Sequence, residues 1–241
     1  MLIAVETLMR CWSVKPKGVL HVGAHEAEES VKYRKFLWTP VIWVEAQPEK
    51  IEYLKRKLDP FENSVIEAAV WNVSGIPLDL KITSNSESTS LLDFGTHKVQ
   101  HPSISVERII PVVTQILDDL VAAPYPELLE LDIQGAELKA LQGYSKGLLH
   151  TKWIYCEVNR ELLYEGCSLI SEIDDFLHQH GFIRAATRWT IHEWGDALYI
   201  NESVFKSQSK VQKFLWFISE TKYFLHLKLR ELKKSVTKDR K

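Results

Sequence analysis

The sequence predicts an α/β protein: a doubly wound, mostly parallel sheet that finishes in an antiparallel hairpin. Three observations predict it. From residue 18 onward, short apolar runs alternate with helical patterns, the order expected of βαβ units. The runs show little polar alternation, as strands covered on both faces do. Two of them, Val19-Leu20-His21-Val22-Gly23 and Val41-Ile42-Trp43-Val44-Glu45, stop at a glycine and at a carboxylate 22 residues further on.

Residues 1–17 read as a short amphipathic helix leading to Pro16. Strands are expected at 18–23, 41–45, 64–70, 128–133 and 153–158, with helices at 26–38, 48–58, 135–142 and 168–180. Pro48 suits a first helical turn, where a missing N–H leaves no bond unmade. Gly181 closes the last of these helices. Two more strands, 181–186 and 197–200, are joined by a polar connection through Gly195-Asp196. No helix fits between them, so they pair antiparallel. Residues 71–121 are the least regular: 84–103 reads as a polar loop over the ligand edge, 109–113 as a short strand and 114–121 as a helix.

A chain of 241 residues with 45% hydrophobic and 26% charged residues is an ordinary globular composition. Cys11, Cys156 and Cys167 are odd in number and lack a CxxC spacing, which argues against a disulfide framework and for a reducing compartment. Met1-Leu2-Ile3-Ala4-Val5-Glu6 carries an early acid and no basic region, so no secretory signal is read there. The expected location is cytoplasmic. Residues 205–241 hold 11 Lys/Arg and 3 Asp/Glu, +8, while the rest holds 19 against 29, −10. An acidic body argues against nucleic acid as partner. The domain reading is a helix over 1–17, a cofactor-binding domain over 18–204 and a basic amphipathic helix over 205–241.

Ligands of open parallel sheets sit beyond the carboxyl ends of the strands, where an acid ending the second strand can accept both hydroxyls of a ribose. Glu45 is that acid. The first turn, Gly23-Ala24-His25-Glu26-Ala27, keeps one glycine of a dinucleotide fingerprint and is crowded by Glu26, Glu28 and Glu29. A phosphate would meet like charges there, whereas the sulfonium of S-adenosylmethionine would not. The simpler reading of the three acids is that they stabilise the dipole of the following helix. Asp132 and Glu157 end two more strands at the same edge. Isolated acids are expensive to desolvate, so their convergence points to a ligand. Glu137 reads more simply as a cap on its own helix.

Leu131-Asp132-Ile133-Gln134-Gly135-Ala136-Glu137, followed by Leu141 and Gly143, resembles the signature of the FkbM-type S-adenosylmethionine-dependent methyltransferases. Residues 20–30 and 42–49 resemble that family's first two cofactor motifs. Glu157-Val158-Asn159, Tyr164 and Trp194-Gly195-Asp196-Ala197-Leu198-Tyr199 agree with its later part. The resemblance spans roughly 18–201 and implies a class I methyltransferase (Rossmann-like) fold with strand order 3-2-1-4-5-7-6. It implies a methyl acceptor that is a hydroxyl of a sugar or natural product. By the resemblance, Gly23, Ala24 and His25 line the methionine side of the cofactor, with His21 beside them. Glu45 and Ala46 hold the ribose, Ala69 and Val70 lie near the adenine, and Asp132 and Gln134 face the sulfonium and substrate. His21 and Ala27 stand where the family more often has an acid and a glycine.

An alcohol nucleophile must lose its proton, and a positioned base contributes about 10²–10⁴-fold. Asp132 is the leading candidate, with Glu157 and His192 as alternatives. Neither His21/His25 nor His97/His101 has the HExxH pattern, so no metal site is favoured. A divalent ion bridging Asp132 and a substrate diol is the alternative weighed against that. His97 and His101, in the polar loop, can contact substrate or sit on the surface. In the tail, Val211, Leu215, Ile218, Leu225, Leu229, Leu232 and Val236 form an apolar stripe flanked by Lys and Arg. It suits packing on the domain, a homodimer contact or an anionic membrane surface. Competing functions are an NAD-linked oxidoreductase, disfavoured by the first turn and the terminal hairpin, and a noncatalytic assembly module.

Overall fold

The computed structural model describes residues 1–238. In chain order the strands are β1 (Val19–Val22), β2 (Val41–Glu45), β3 (Asn63–Glu67), β4 (Ala69–Val70), β5 (Pro77–Thr83), β6 (Val106–Gln115), β7 (Leu128–Leu131), β8 (Trp153–Asn159), β9 (Phe182–Trp189) and β10 (Trp194–Asn201). The helices are α1 (Val5–Trp12), α2 (Ser30–Lys35), α3 (Pro48–Lys57), α4 (His97–Gln100), α5 (Leu117–Leu120), α6 (Glu137–Gln142), α7 (Ser145–Leu148), α8 (Ile170–Gln179), α9 (Glu202–Ser207) and α10 (Lys210–Lys238).

Seven strands form the main sheet in the order β3-β2-β1-β7-β8-β10-β9. Counted among themselves in chain order they read 3-2-1-4-5-7-6, the expected arrangement; the labels differ only because β4, β5 and β6 make a separate sheet. Every neighbouring pair is parallel except those of β10, which runs antiparallel to both β8 and β9. This is the class I methyltransferase architecture.

The strand pleat sorts side chains to two cores. Val19, Val41, Trp43, Leu128, Trp153 and Leu198 pack on one face with Trp12, Tyr33, Trp38 and Leu54 from α1 to α3. Leu20, Val22, Val44, Leu129, Leu131, Ile154 and Cys156 pack on the other with Leu117, Leu141, Tyr144, Ile173 and Leu177. All residues of β1, β7 and β8 are buried, which is why their sequences are mostly apolar, with His21, Glu130, Glu157 and Asn159 as the buried polar exceptions. The carboxyl ends of the parallel strands therefore meet along one edge.

Several expectations are corrected. The helix expected over 26–38 begins only at Ser30. Residues 24–29 form a turn in which Ala27 N bonds Ala24 O at 2.7 Å and His25 and Ala27 take φ of 44° and 53°. Two of the acids thus find partners in place of a helix dipole: Glu26 pairs with Lys50 at 2.6 Å, and Glu28 with His25 Nδ1 at 2.8 Å. The single strand expected over 64–70 is two: β3 pairs with β2 up to Glu67, then β4 crosses to pair with β6. The loop over 84–103 contains α4, and β6 runs far beyond the strand expected at 109–113. Gly195-Asp196 is not the hairpin connection but paired strand, opposite Val158 and Glu157. The connection is the turn at 190–193, closed by Thr190 N to Trp194 O at 2.9 Å.

α10 extends for 29 residues, about 43 Å. The side chains of Leu229, Leu232 and Val236, expected on its stripe, lie outside the described residues.

Candidate functional site

Two adjoining cavities open at the carboxyl edge of the sheet and share Gly23, His25, Glu87, Asp132 and Gln134. The first is a narrow slot of about 70 Å³ between β1, β2, β4 and the 86–91 segment. Glu45 and Ala46 line it on one side, and Ala68, Ala69, Val70 and Leu80 supply an apolar wall. The second is wider, about 500 Å³, and is lined by His21, Ala24, Glu28, Glu29, Glu130, Glu157 and His192 among others. Every residue singled out from the sequence for the site therefore lines one cavity or the other. No lysine or arginine side chain lines either among the described residues.

Gly23 is dictated by local packing. Its φ is 89°, and a Cβ there would stand 1.8 Å from the carbonyl oxygen of Asp132. The end of β1 thus lies directly against the end of β7, and only glycine permits it. At β2, the Glu45 carboxylate organises its own surroundings: Oε2 accepts from His25 N at 2.7 Å, and Oε1 from Ala46 N and Gln47 N, both at 2.8 Å. Three backbone donors hold the carboxylate still, and Oε2 keeps an unused acceptor direction.

At β7, Gln134 sits at φ 54° and Gly135 at φ 102°, a tight turn that brings the Gln134 side chain back over the strand end. Its Nε2 donates to Asp132 Oδ1 at 2.7 Å and to Glu157 Oε2 at 3.2 Å. Its Oε1 accepts from the Tyr164 hydroxyl at 2.7 Å. Glu137 holds the same turn from behind, its Oε1 accepting Ile133 N at 3.0 Å and Gly135 N at 3.1 Å. These bonds go to the turn before α6 and not to its N-terminal N–H groups, so the expected helix cap is replaced by a brace on the turn.

The electrostatics follow from acids gathered with no lysine or arginine among them; the cation beside them is the Met1 ammonium, which lines the wider cavity 3.8 Å from Glu29. Burial, with the neighbouring Asp196 charge, pushes the Asp132 carboxyl up to about 6. Asp132 faces the open cavity, and the water it meets there works against that rise. Burial and then Asp132 hold Glu157 well above the usual carboxylate range. Glu137 is pushed up to about 7, chiefly by burial. Below them a polar seam crosses the core face: the Tyr33 hydroxyl donates to Glu130, and His21 Nδ1 lies 3.1 Å from the same hydroxyl. Burial lowers His21 to about 4 and raises Glu130 well above its usual value, so the pair sits in the sheet largely uncharged.

Sequence reasoning left out part of the wall. His101 lies 5.0 Å from His97 and 4.6 Å from His192, ring centre to ring centre, so three histidines from α4, its C-terminal cap and the hairpin turn follow one another with tilted rings along the wider cavity. His97 Nδ1 is buried without a hydrogen-bond partner. Ser90 and Trp194 also line the cavities, and Asp196 accepts the Tyr155 hydroxyl at 2.5 Å behind them. The alternation Leu78-Asp79-Leu80-Lys81-Ile82 marked β5 as a half-buried strand and with it the slot's outer wall. The sequence pointed to His97, His101 and His192 one by one, but their meeting carried no comparable signal, because it joins residues from two distant segments. No group of three or more His, Cys, Asp or Glu side chains among the described residues is arranged to hold a metal ion.

Residues 21–184 match the family model of the methyltransferase FkbM domain. No curated protein matches the chain. Among solved structures, it is similar to magnesium protoporphyrin IX methyltransferase from Synechocystis PCC 6803, at 10% identity and TM-score 0.45 over 76% of this chain and 69% of that one. A putative RNA methyltransferase from Pyrococcus horikoshii is similar at 12% identity and TM-score 0.45, over 81% of each chain. Precorrin-6y C5,15-methyltransferase from Geobacter metallireducens is similar at 12% identity and TM-score 0.44, over 81% and 85%.

Proposed function

The chain belongs to the methyltransferase FkbM domain family, and from that premise we propose that it moves a methyl group from S-adenosylmethionine to a hydroxyl of a sugar or natural-product small molecule. The observation that carries this reading is the Asp132–Gln134–Glu157 cluster, set where the Glu45 slot meets the wider cavity, with no cationic side chain lining either among the described residues.

The residues suit the cofactor's parts. An apolar wall of Ala68, Ala69, Val70 and Leu80 fits a purine face, and the free acceptor direction of Glu45 Oε2 fits a ribose hydroxyl. A pyrophosphate would meet carboxylates and no lysine or arginine side chain, which disfavours NAD. When bound, S-adenosylmethionine supplies an electrophilic methyl carbon, whose bond to sulfur breaks as the acceptor oxygen bonds to it.

The protein's part is alignment and proton removal. Asp132, with a carboxyl near 6, is mostly ionised at neutral pH and takes the hydroxyl proton. Glu157, held protonated by burial, donates a hydrogen bond to the acceptor and leaves Asp132 as the only local anion of the pair. Gln134 keeps the two carboxyls apart and oriented. His101 and His192 line the acceptor's side of the cavity.

Titration calorimetry with S-adenosylmethionine, its demethylated product and NAD tests the cofactor; binding of the first two and not the third is expected. A panel of sugars and polyols incubated with methyl-labelled cofactor then tests the acceptor. Label transferred only to amines would overturn the hydroxyl assignment, and binding without any transfer would favour the assembly-module reading.

A further inference from the structure

We propose that the outer face of α10 seats on an anionic lipid surface. The helix has two faces of different kind. Its inner face is committed to the domain: Trp216 Nε1 donates to Ala185 O at 2.5 Å, Glu220 pairs with Arg188 at 2.9 Å, and the Tyr223 hydroxyl accepts from Trp189 N at 2.8 Å. The Arg188 guanidinium also lies over the Tyr223 ring, 4.1 Å from its centre.

The opposite face carries Val211, Phe214, Phe217, Phe224 and Leu225, which are 66, 61, 63, 57 and 54% exposed. At 3.6 residues per turn these five positions fall within an arc of about 140° and the docked positions fall outside it. A soluble helix packed on its own domain has no reason to turn three phenylalanines to water. The stripe is also framed by cations. Lys210 and Lys228 stand at its two ends and Lys222 along one edge, all exposed, with Lys213 along the other.

Charge selects the occupant. Residues 205–241 carry +8, so two copies of this helix laid stripe to stripe would bring like charges together. An anionic lipid surface satisfies both features at once: phenylalanines enter the acyl boundary while lysines stay at the headgroups. The contact is peripheral, since no helix among the described residues is long and apolar enough to cross a membrane.

The full chain is sedimented with vesicles of phosphatidylcholine alone and of phosphatidylcholine mixed with phosphatidylserine. Binding is expected only to the mixed vesicles and is expected to weaken steeply with salt. The triple variant Phe214→Ser, Phe217→Ser, Phe224→Ser and the triple variant Lys210→Glu, Lys222→Glu, Lys228→Glu should each lower partitioning about tenfold or more. Neither changes Trp216, Glu220 or Tyr223; Phe224 and Lys228 border the cavity beside β9, and circular dichroism checks that both variants fold. Absence of binding to the mixed vesicles, or binding that neither variant changes, overturns the proposal. So does a dimer in sedimentation velocity that the phenylalanine variant dissolves, for then a second copy is the occupant.

Discussion

The Tyr164 hydroxyl lies 2.7 Å from Gln134 Oε1, and this bond decides which way the Gln134 amide faces. With its oxygen engaged by Tyr164, the amide nitrogen is turned to Asp132 and Glu157 together. Tyr164 is a positioning residue in the proposed reaction. Tyr164→Phe should lower kcat by about tenfold, the effect of losing roughly 1.4 kcal/mol of orientation. Cofactor affinity should stay within twofold or so, since neither Glu45 nor the apolar slot is touched. A matching loss of cofactor affinity would mean that Tyr164 supports the fold of the site instead.

Removing the base should leave binding and take turnover. Asp132→Asn is expected to reduce kcat by about 10²–10⁴-fold. The wild-type rate should also fall below a pH of about 6, as Asp132 takes up a proton. That acidic limb should be missing in the variant. Its persistence would transfer the role to Glu157 or His192.

Glu45 predicts a different split. Glu45→Ala removes the ribose acceptor and strands the N–H groups of His25, Ala46 and Gln47. Calorimetry should show S-adenosylmethionine affinity reduced by about 10²-fold or more, and melting should show a loss of about 1–3 kcal/mol. Affinity equal to wild type would remove Glu45 from the cofactor site.

Two glycines with nearly the same backbone separate strain from crowding. Gly23 has φ 89° and would drive a Cβ into Asp132 O, whereas Gly75 has φ 87° and nothing within 4 Å. Gly75→Ala should destabilise by about 1–2 kcal/mol, the left-handed penalty alone. Gly23→Ala should exceed about 4 kcal/mol and empty the site. Urea titration of both variants makes the comparison directly.

Stability should fall as pH rises from about 4 to about 7, against the usual acid-denaturation pattern. Asp132 and Glu137 are raised to about 6 and about 7, so the folded chain holds more protons than the unfolded one across that window. Glu130 and Glu157, also raised, act in the same sense. His21, lowered to about 4, opposes them, because between about 4 and its unfolded value it is protonated only in the unfolded chain. His97, lowered by burial, acts with His21, and four acids outweigh the two imidazoles. Urea midpoints of the unliganded protein at about pH 5 and about pH 7.5 check the sign; the lower midpoint is expected at the higher pH.

The main sheet was legible because its buried parallel strands are mostly apolar, Val41-Ile42-Trp43-Val44 without a break and Leu128–Leu131 with Glu130 as its one exception. The acids at its edge were legible because Glu45, Asp132 and Glu157 end such runs. The 71–121 region resisted for a physical reason: β6 is largely exposed, and only its apolar middle, at 109–113, was legible as strand. The start of α2 was misplaced because positive φ at His25 and Ala27, both non-glycine, leaves no compositional trace. Gly195 was read as a turn residue, yet it is needed in β10, where a Cβ would meet Arg188 O at 2.2 Å. The histidine wall exists only once α4 and the hairpin turn are brought together by the fold.

α10 climbs along β9, from Gln208 held by Trp12 O just before its first turn, through Trp216 at Ala185, to Tyr223 at Trp189. Trp189 leads straight into the turn that places His192 on the wider cavity. Whatever the helix rests against is thus neighbour to the acceptor's doorway. For an enzyme moored this way, an amphiphilic acceptor arrives by lateral diffusion in a plane rather than from bulk water, and encounter frequency scales with surface density.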